Sequence, residues 1–458
     1  MPVMLNKSLT QYDTIGVVGI GQTGLSVVRY LLAQGVEPVV FDTREQPSNL
    51  EALTELHDGL EVHLGALDPA LLLQMDVLVV SPGVDLRLPE LQLAADAEIP
   101  LIGDIDIFAR LATKPVIGIT GSNGKSTVTR LTAALLETAG KRVAVAGNIG
   151  VPVLDVVAND ADYDIYVLEL SSFQLELMEN LSLAAATVLN VSDDHMDRYY
   201  TRRDYVDAKQ RIYQNARCAV WNREQPATEP MSMAPRQHFT FGLDASETER
   251  PHLFGIGVDG GDATLEFKGQ ALAKASELQL AGMHNLMNVQ AALGLVYAVG
   301  VEPQQVLATI KSFKGLPHRC ETILEQGGVT WINDSKATNI GAAEAAIFGV
   351  RRLVSGKLIL LAGGDAKGAD FKAFRSALDQ VDVLITFGRD ADRVSQNFAQ
   401  ERPHVRVKDL PEAVSVAAQR AIPGSMVLLS PACASLDMFR NYEDRGEQFR
   451  KAVEAYYD

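Results

Sequence analysis

A chain of 458 residues has room for about three domains of ordinary size, each with its own core. Its 47% apolar and 22% charged residues exclude a disordered or fibrous protein, and a net charge of −17 argues against broad nucleic-acid or anionic-membrane surfaces. The three cysteines, Cys218, Cys320 and Cys433, are scattered without CxxC spacing, so neither a disulfide framework nor a structural zinc site is supported.

The stretch Met1 to Thr14 is polar and has no apolar signal core, and no run approaches the ~18 apolar residues of a membrane span. A cytoplasmic protein with no membrane and no nucleic-acid partner is expected. Short β-rich runs at Ile15 to Ile20, Pro38 to Phe41 and Val77 to Val80 then alternate with a helical pattern at Leu25 to Gln34, which predicts βαβ units on a parallel sheet. Gly19-Ile20-Gly21-Gln22-Thr23-Gly24 follows the first strand and opens the helix, with Asp42 at the end of the next strand. Such a turn presents backbone amides to a pyrophosphate, in a nicotinamide dinucleotide or in another ligand. Ser81-Pro82-Gly83 adds a second loop on the same edge. The pattern changes between Ile102 and Pro115, and the first boundary falls near residue 104.

A second βα series follows, with strands predicted at Val116 to Thr120, Arg142 to Ala146, Tyr163 to Leu170 and Ala186 to Val191. Between the first of these and the helix Val128 to Thr138 stands Thr120-Gly121-Ser122-Asn123-Gly124-Lys125-Ser126-Thr127. Its glycines let amides face phosphate oxygens, Lys125 neutralises charge, and a hydroxyl can hold Mg²⁺. The spacing departs from the usual phosphate loop, since Ile119 occupies the place of the first glycine. A triphosphate site is nevertheless predicted, because the required strand and helix flank it. Glu169, closing an apolar strand, is the candidate Mg²⁺ ligand. His195, in the polar cluster Asn190 to Arg198, is a second. Residues 226 to 282 carry Gly-Gly and Asp-Gly turns and predict an antiparallel excursion within this domain.

After Lys314-Gly315-Leu316-Pro317 a third α/β unit runs to the C-terminus, with strands at Val329 to Ile332, Lys357 to Leu361, Asp382 to Phe387 and Met426 to Leu429. Three strand ends carry cations and hydroxyls: Asn333 to Asn339, Gly363 to Lys367 and Ser430 to Ser435. They suit an anionic acceptor. The predicted architecture is α/β in three domains. A Rossmann-like N-terminal domain spans residues 1–104, a central P-loop ATPase-like domain 105–314, and a C-terminal Rossmann-like domain 315–458.

The motifs GIGQTGLS, SPGV, GITGSNGKST, GNIG, ELSSFQLE, DDHMDRY, GMHNLMN, GLPHRCE, INDSKATN, GGDAKGADF and SPACASLDMF occur in this order from end to end. Together they resemble the Mur ligase family of peptidoglycan synthesis, and the terminal motifs resemble its D-glutamate-adding branch. The resemblance implies ATP-dependent addition of D-glutamate to UDP-N-acetylmuramoyl-L-alanine through an acyl phosphate. Another amino-acid-adding ligase of the family, or one of folylpolyglutamate synthase type, is the alternative. It further implies that Gly121, Ser122, Asn123, Gly124, Lys125, Ser126, Thr127, Asn288, Arg319 and Asp334 hold ATP. Ser126, Glu169, His195 and Lys209 would serve two Mg²⁺ ions, with Lys209 carbamylated, and Lys125, His195 and Lys209 would act in catalysis. Gln22, Thr23, Thr43, Arg44, Ser81, Pro82, Gly83 and Asn148 would receive the UDP-sugar. Thr338, Lys367, Ser435, Leu436 and Tyr442 would surround D-glutamate, Tyr442 standing where the motif otherwise has Phe. The expected enzyme is a monomer acting on small molecules, with closure about residues 313–318.

Overall fold

A computed structural model describes residues 9–159, 162–196, 198–249, 251–280, 282–351 and 353–457. Met1 to Ser8 of the polar N-terminal stretch, and Asp197 of DDHMDRY, lie outside the described residues. Ile15–Val18 and Val77–Val80 are buried at every position, the pattern of strands covered on both faces. They pair in parallel at the centre of a five-stranded sheet, flanked by Val39–Asp42 and Val62–Leu64 on one side and Leu101–Ile102 on the other. The chain leaves the first strand towards one edge and returns to build the other. Strand order therefore reverses beside Ile15–Val18, where open parallel sheets form a ligand crevice. The helix here is Gln22–Ala33, three residues earlier than its apolar periodicity indicates, because Gly21 caps it directly from the glycine turn.

The second sheet runs Gln237–Phe241, Cys218–Asn222, Ala185–Val188, Val116–Thr120, Ile165–Glu169, Val143–Gly147, all parallel. The antiparallel excursion therefore begins later than 226. Gln237–Phe241 is a parallel edge strand covered by the helix Met283–Ala298, and only Phe254–Asp259, Asp262–Phe267 and Gln270–Lys274 form an antiparallel meander. Gly260 and Gly261 make its first turn with left-handed φ of +61° and +86°.

In the third domain the order is Glu321–Gln326, Val329–Asn333, Met426–Leu429, Leu358–Gly363, Val383–Phe387, His404–Arg406. The sequence pattern passes over Glu321–Gln326, a half-exposed edge strand lacking an apolar run, and it is the one antiparallel member of the sheet among the described residues.

Packing distinguishes the domains. One apolar cluster runs from Ile15 and Val79 through Ile105 and Phe108 of the helix Asp104–Leu111 to Leu168 and Tyr205, so the first two domains share a core. Arg29 also bonds Asp155 across their junction at 2.5 Å. The clusters of the third domain draw only on residues from Cys320 onward.

Candidate active site

The strand Val116–Thr120 ends in a loop that Gly121 and Gly124 turn with φ of +151° and +83°. A β-carbon on Gly124 would lie 2.5 Å from Asn288 Oδ1, so the loop is pressed against the helix that supplies Asn288. Asn190 pins the other side: its Oδ1 accepts from the Asn123 amide at 2.8 Å and its Nδ2 donates to the Asn123 carbonyl at 2.9 Å. The helix Lys125–Thr138 starts at once, aiming its unpaired amides and positive end at the loop. Lys125 folds back to donate to the Gly121 and Ser122 carbonyls at 2.8 and 3.0 Å. Burial lowers its pKa and Arg319 adds to this, against Glu169 and Asp194.

Glu169 closes the neighbouring strand and is 2% exposed. Its Oε1 accepts from Asn148 Nδ2 at 2.8 Å, whereas its Oε2 is buried without a hydrogen-bond donor. Such an orphaned carboxylate oxygen suits a cation. Ser126 Oγ, at the start of the loop helix, is a further oxygen, held by Arg319 Nη2 at 3.0 Å. His195 has a left-handed φ of +56°; its ring packs edge-on to Phe173 at 4.9 Å, with Nε2 3.7 Å from Asp194 Oδ2. Burial lowers its pKa, which favours the neutral imidazole a metal needs. Lys209, 1% exposed, donates to the Gly121 carbonyl at 3.0 Å and lies 4.4 Å from the Tyr205 ring centre. Burial first, and Lys125 second, push its pKa well below the ordinary value. No three His, Cys, Asp or Glu side chains converge among the described residues. The Glu169 and Ser126 oxygens and the His195 ring are donor types that Mg²⁺ accepts, and with so few protein carboxylates at hand phosphate and water oxygens would have to complete its shell.

On one side of Asn148 and Glu169, a cavity of about 530 Å³ is lined by all eight residues expected at the UDP-sugar: Gln22, Thr23, Thr43, Arg44, Ser81, Pro82, Gly83 and Asn148. Asp42 also lines it but is fully engaged. Its oxygens accept from the Ile20 amide at 2.6 Å and from the Arg44 amide and guanidinium at 2.7–2.9 Å. No lone pair remains for a ribose hydroxyl, so the dinucleotide grip suggested by GxGxxG is blocked here by Arg44.

On the other side, between the central and third domains, a cavity of about 380 Å³ is lined by Asn123, Gly124, Thr127, Asn288, Arg319 and Asp334 of the expected nucleotide set. Burial raises Asp334 to about 6, although the Ser430 hydroxyl and the Cys320 amide donate to its oxygens. The acceptor set shares a sheet edge. Thr338, Lys367, Ser435 and Leu436 lie on the loops after three adjacent strands, and Tyr442 opens the last helix. Reciprocal backbone bonds between Asp365 and Ala434, at 3.0 and 2.8 Å, tie two of these loops together. Ser435 is buried, Leu436 is exposed, and the charge of Lys367 is felt at His195 across the domain gap.

Three residues whose contacts border these cavities and loops escaped the sequence reading. Asn339 Nδ2 donates to Asn123 Oδ1 at 3.2 Å and Asp194 Oδ2 at 3.1 Å, linking the third domain to the phosphate loop and the His195 loop. Lys336 Nζ stands 3.6 Å from the Tyr442 ring centre, its pKa lowered by burial to about 8. Arg198 reaches the Pro82 carbonyl at 3.2 Å and Glu176 at 2.8 Å, with its guanidinium 4.2 Å from the Phe173 ring centre. Lys336 and Asn339 stand inside INDSKATN and Arg198 inside DDHMDRY, but a motif does not show which neighbour lies across a domain gap.

Three α/β modules, with a phosphate loop in the middle one and a cavity on each side of it, have the layout of a nucleotide-binding enzyme. Family models match in the same order: a Mur ligase MurD-like N-terminal domain over residues 13–103, the Mur ligase middle domain over 119–296, and the Mur ligase glutamate ligase domain over 318–433. The UDP-N-acetylmuramoylalanine–D-glutamate ligase of Idiomarina loihiensis is 46% identical over 97% of both chains. That of Marinobacter nauticus is 48% identical over 96% of this chain and 97% of its own. The chain belongs to the Mur ligase family. Among solved structures, a pseudomurein peptide ligase type C from Methanothermus fervidus superposes with a TM-score of 0.63 at 19% identity, covering 97% of this chain and all of its own. The MurF ligase of Thermotoga maritima in complex with ADP gives 0.61 at 18% identity, covering 96% and 95%. At these identities the likeness is one of fold.

Proposed function

We infer that the protein joins D-glutamate to UDP-N-acetylmuramoyl-L-alanine in an ATP-driven, amide-forming step of peptidoglycan precursor synthesis. The observation that carries this is the Asn148–Glu169 hydrogen bond of 2.8 Å, which links the wall of the UDP-sugar cavity to the carboxylate beside the phosphate loop. The donor's acyl end and the ATP γ-phosphate are thereby directed to one place. Residues 1–104 receive the UDP-sugar, 105–314 ATP and 315–458 the amino acid. One chain supplies all three sites, which supports a monomer, and no described helix is long and apolar enough to cross a membrane. ATP and a UDP-sugar as substrates support a cytoplasmic location.

A carboxylate is a poor electrophile because oxide would have to leave. Its oxygen instead attacks the γ-phosphorus, the bond to the β,γ-bridging oxygen breaks, and ADP departs. The amine lone pair of D-glutamate then attacks the acyl carbon, phosphate leaves with the C–O electron pair, and nitrogen loses a proton. Lys125 exchanges its two carbonyl partners for phosphate oxygens, and Arg319 holds the Ser126 hydroxyl in place while negative charge shifts. Asn148 orients the acyl end, and Lys367 faces it from the acceptor side. Two bound Mg²⁺ ions, held by Ser126, Glu169, His195 and a carbamate on Lys209, would supply charge neutralisation. Burial supports a carbamate on Lys209 in one respect: the neutral amine it favours is the form whose nitrogen adds CO₂, releasing a proton and leaving an anionic oxygen pair that the bound cations would have to neutralise.

The test is ADP release from ATP and Mg²⁺ in the presence of UDP-N-acetylmuramoyl-L-alanine, with D-glutamate, L-glutamate or neither. Release that needs the UDP-sugar and D-glutamate, with a new amide in the product mass, is expected. Turnover only with another amino acid would move the chain to another branch of the family. ATP binding without turnover on any amino acid would sink the reading.

A further inference from the structure

The helix Tyr442–Tyr457 begins with Tyr442 and carries, almost one turn on, Arg445, whose side chain is completely buried. Its Nε donates to Ser335 Oγ at 3.0 Å, one terminal nitrogen to the Ser335 carbonyl at 2.7 Å, and the other to the Cys433 carbonyl at 3.1 Å. All three acceptors are neutral. Among the described residues no carboxylate lies within ion-pair distance, and Asp437 and Asp334 act on the charge only from further away. Burial lowers the guanidinium to about 10, so it remains charged at neutral pH.

A cation kept out of water and answered only by oxygen dipoles is unfavourable, and a neutral side chain could brace two loops without that penalty. The charge itself therefore needs an explanation, and the braced loops provide one. Ser335 lies in the loop that continues to Thr338. Cys433 immediately precedes Ala434, Ser435 and Leu436, and Ala434 is bonded to Asp365 at the root of the Lys367 loop. Ser335 Oγ donates onward to the Tyr442 carbonyl at 2.8 Å, returning to the helix that bears Arg445. One guanidinium thus bonds two loops of the acceptor edge directly and is tied to the third through the Ala434–Asp365 pair.

We propose that Arg445 is the positioning residue of the acceptor site: it fixes the spacing of the loops bearing Thr338, Lys367 and Ser435, and its unneutralised charge favours an acceptor carrying two carboxylates. This rests on the assignment of D-glutamate to the third domain. A lysine cannot take over the role, because one ammonium does not reproduce a planar fork with three directed bonds.

The test compares wild type with Arg445→Lys, Arg445→Ala and Ser335→Ala, measuring kcat and the separate KM values for D-glutamate, ATP and the UDP-sugar, with thermal unfolding as a check. Arg445→Lys should raise KM for D-glutamate by about tenfold or more and leave the other two nearly unchanged. Millimolar guanidinium should partly restore the Arg445→Ala value. Ser335→Ala, which keeps the buried charge but loses one anchor, should raise the same KM by a smaller factor. Folded Arg445 variants with unchanged KM for D-glutamate, or with all three KM values raised alike, would overturn the proposal. Should the Arg445 variants fail to fold, an unchanged KM for D-glutamate in Ser335→Ala would overturn it as well. Wild-type protein inactive with D-glutamate would instead overturn the underlying assignment.

Discussion

Lys125 reaches two carbonyls of its own loop, so in the proposed ATP site its ammonium would have to change partners when the triphosphate arrives. The exchange is favourable because phosphate oxygens carry charge and carbonyls carry only partial charge. Replacing Lys125 by Ala should lower turnover by about 100-fold or more, the usual cost of removing one preorganised electrostatic donor. Steady-state ADP release measures it, and near-wild-type turnover would remove Lys125 from the mechanism. Asp104 poses a different problem, one of stability. It is 3% exposed, its Oδ1 has no hydrogen-bond donor, and burial raises it to about 7, assisted by Asp106 and opposed by the amides of Asp104 and Ile105. A carboxyl whose folded pKa lies above its unfolded value stabilises the fold at low pH, and that contribution is lost as pH rises through about 7. Asp104→Asn should therefore unfold at a higher temperature than wild type at about pH 8, by the equivalent of roughly 1–4 kcal/mol, with the gap closing towards pH 4. A melting-temperature difference independent of pH would show that Asp104 titrates normally.

The helix Ser172–Leu177 has only six residues, too few to persist without help. A capping box supplies part of that help: Ser171 Oγ accepts from the Gln174 amide at 3.1 Å, and Gln174 Oε1 accepts from the Ser171 amide at 3.0 Å. Gln174 also lines the cavity proposed for the UDP-sugar, so the cap sets one of its walls. Ser171→Ala should cost about 1 kcal/mol in denaturant unfolding and raise KM for the UDP-sugar more than that for ATP. Equal KM changes for both substrates would separate the cap from the cavity. In the sequence ELSSFQLE stood out as a motif with Glu169 closing its strand, but the contribution of its turn to the cavity was not readable. The same division holds elsewhere. Strands with unbroken apolar runs, such as Val77–Val80 and Met426–Leu429, match their sequence pattern residue for residue. Glu321–Gln326 and Gln237–Phe241 were hidden because an edge strand can mix polar and apolar residues once a helix or hairpin partner covers one face.

At the scale of the whole molecule, the shared apolar core of the first two domains contrasts with the polar seam that holds the third. Sequence patterns located the three modules because each repeats its own βα periodicity, but they carried no information on the seam, which consists of isolated side chains far apart in the chain. Its described bonds include Arg319 to Ser126 and Asn339 to Asn123 and Asp194, each of which ends on a loop of the nucleotide and metal region. Just before Arg319, Gly315 and His318 adopt left-handed φ of +87° and +62°, backbone states suited to a sharp change of direction between domains. A polar seam without a common core is the kind of interface that opens and closes, and closure here would assemble the site where amine meets acyl phosphate. Asn339→Ala removes its three side-chain bonds across the seam, two with Asn123 and one with Asp194, and also the bond its Oδ1 accepts from the Ala342 amide at the start of the helix Ile340–Arg351. The expected result is a larger radius of gyration in solution scattering without nucleotide, a return towards the wild-type value with ATP and UDP-sugar, and a fall in kcat, with stability lowered only by the ~1 kcal/mol of one lost helix cap. If scattering and kcat both match wild type, Asn339 is no latch, and the position of the third domain has to be set by Arg319 and the linker.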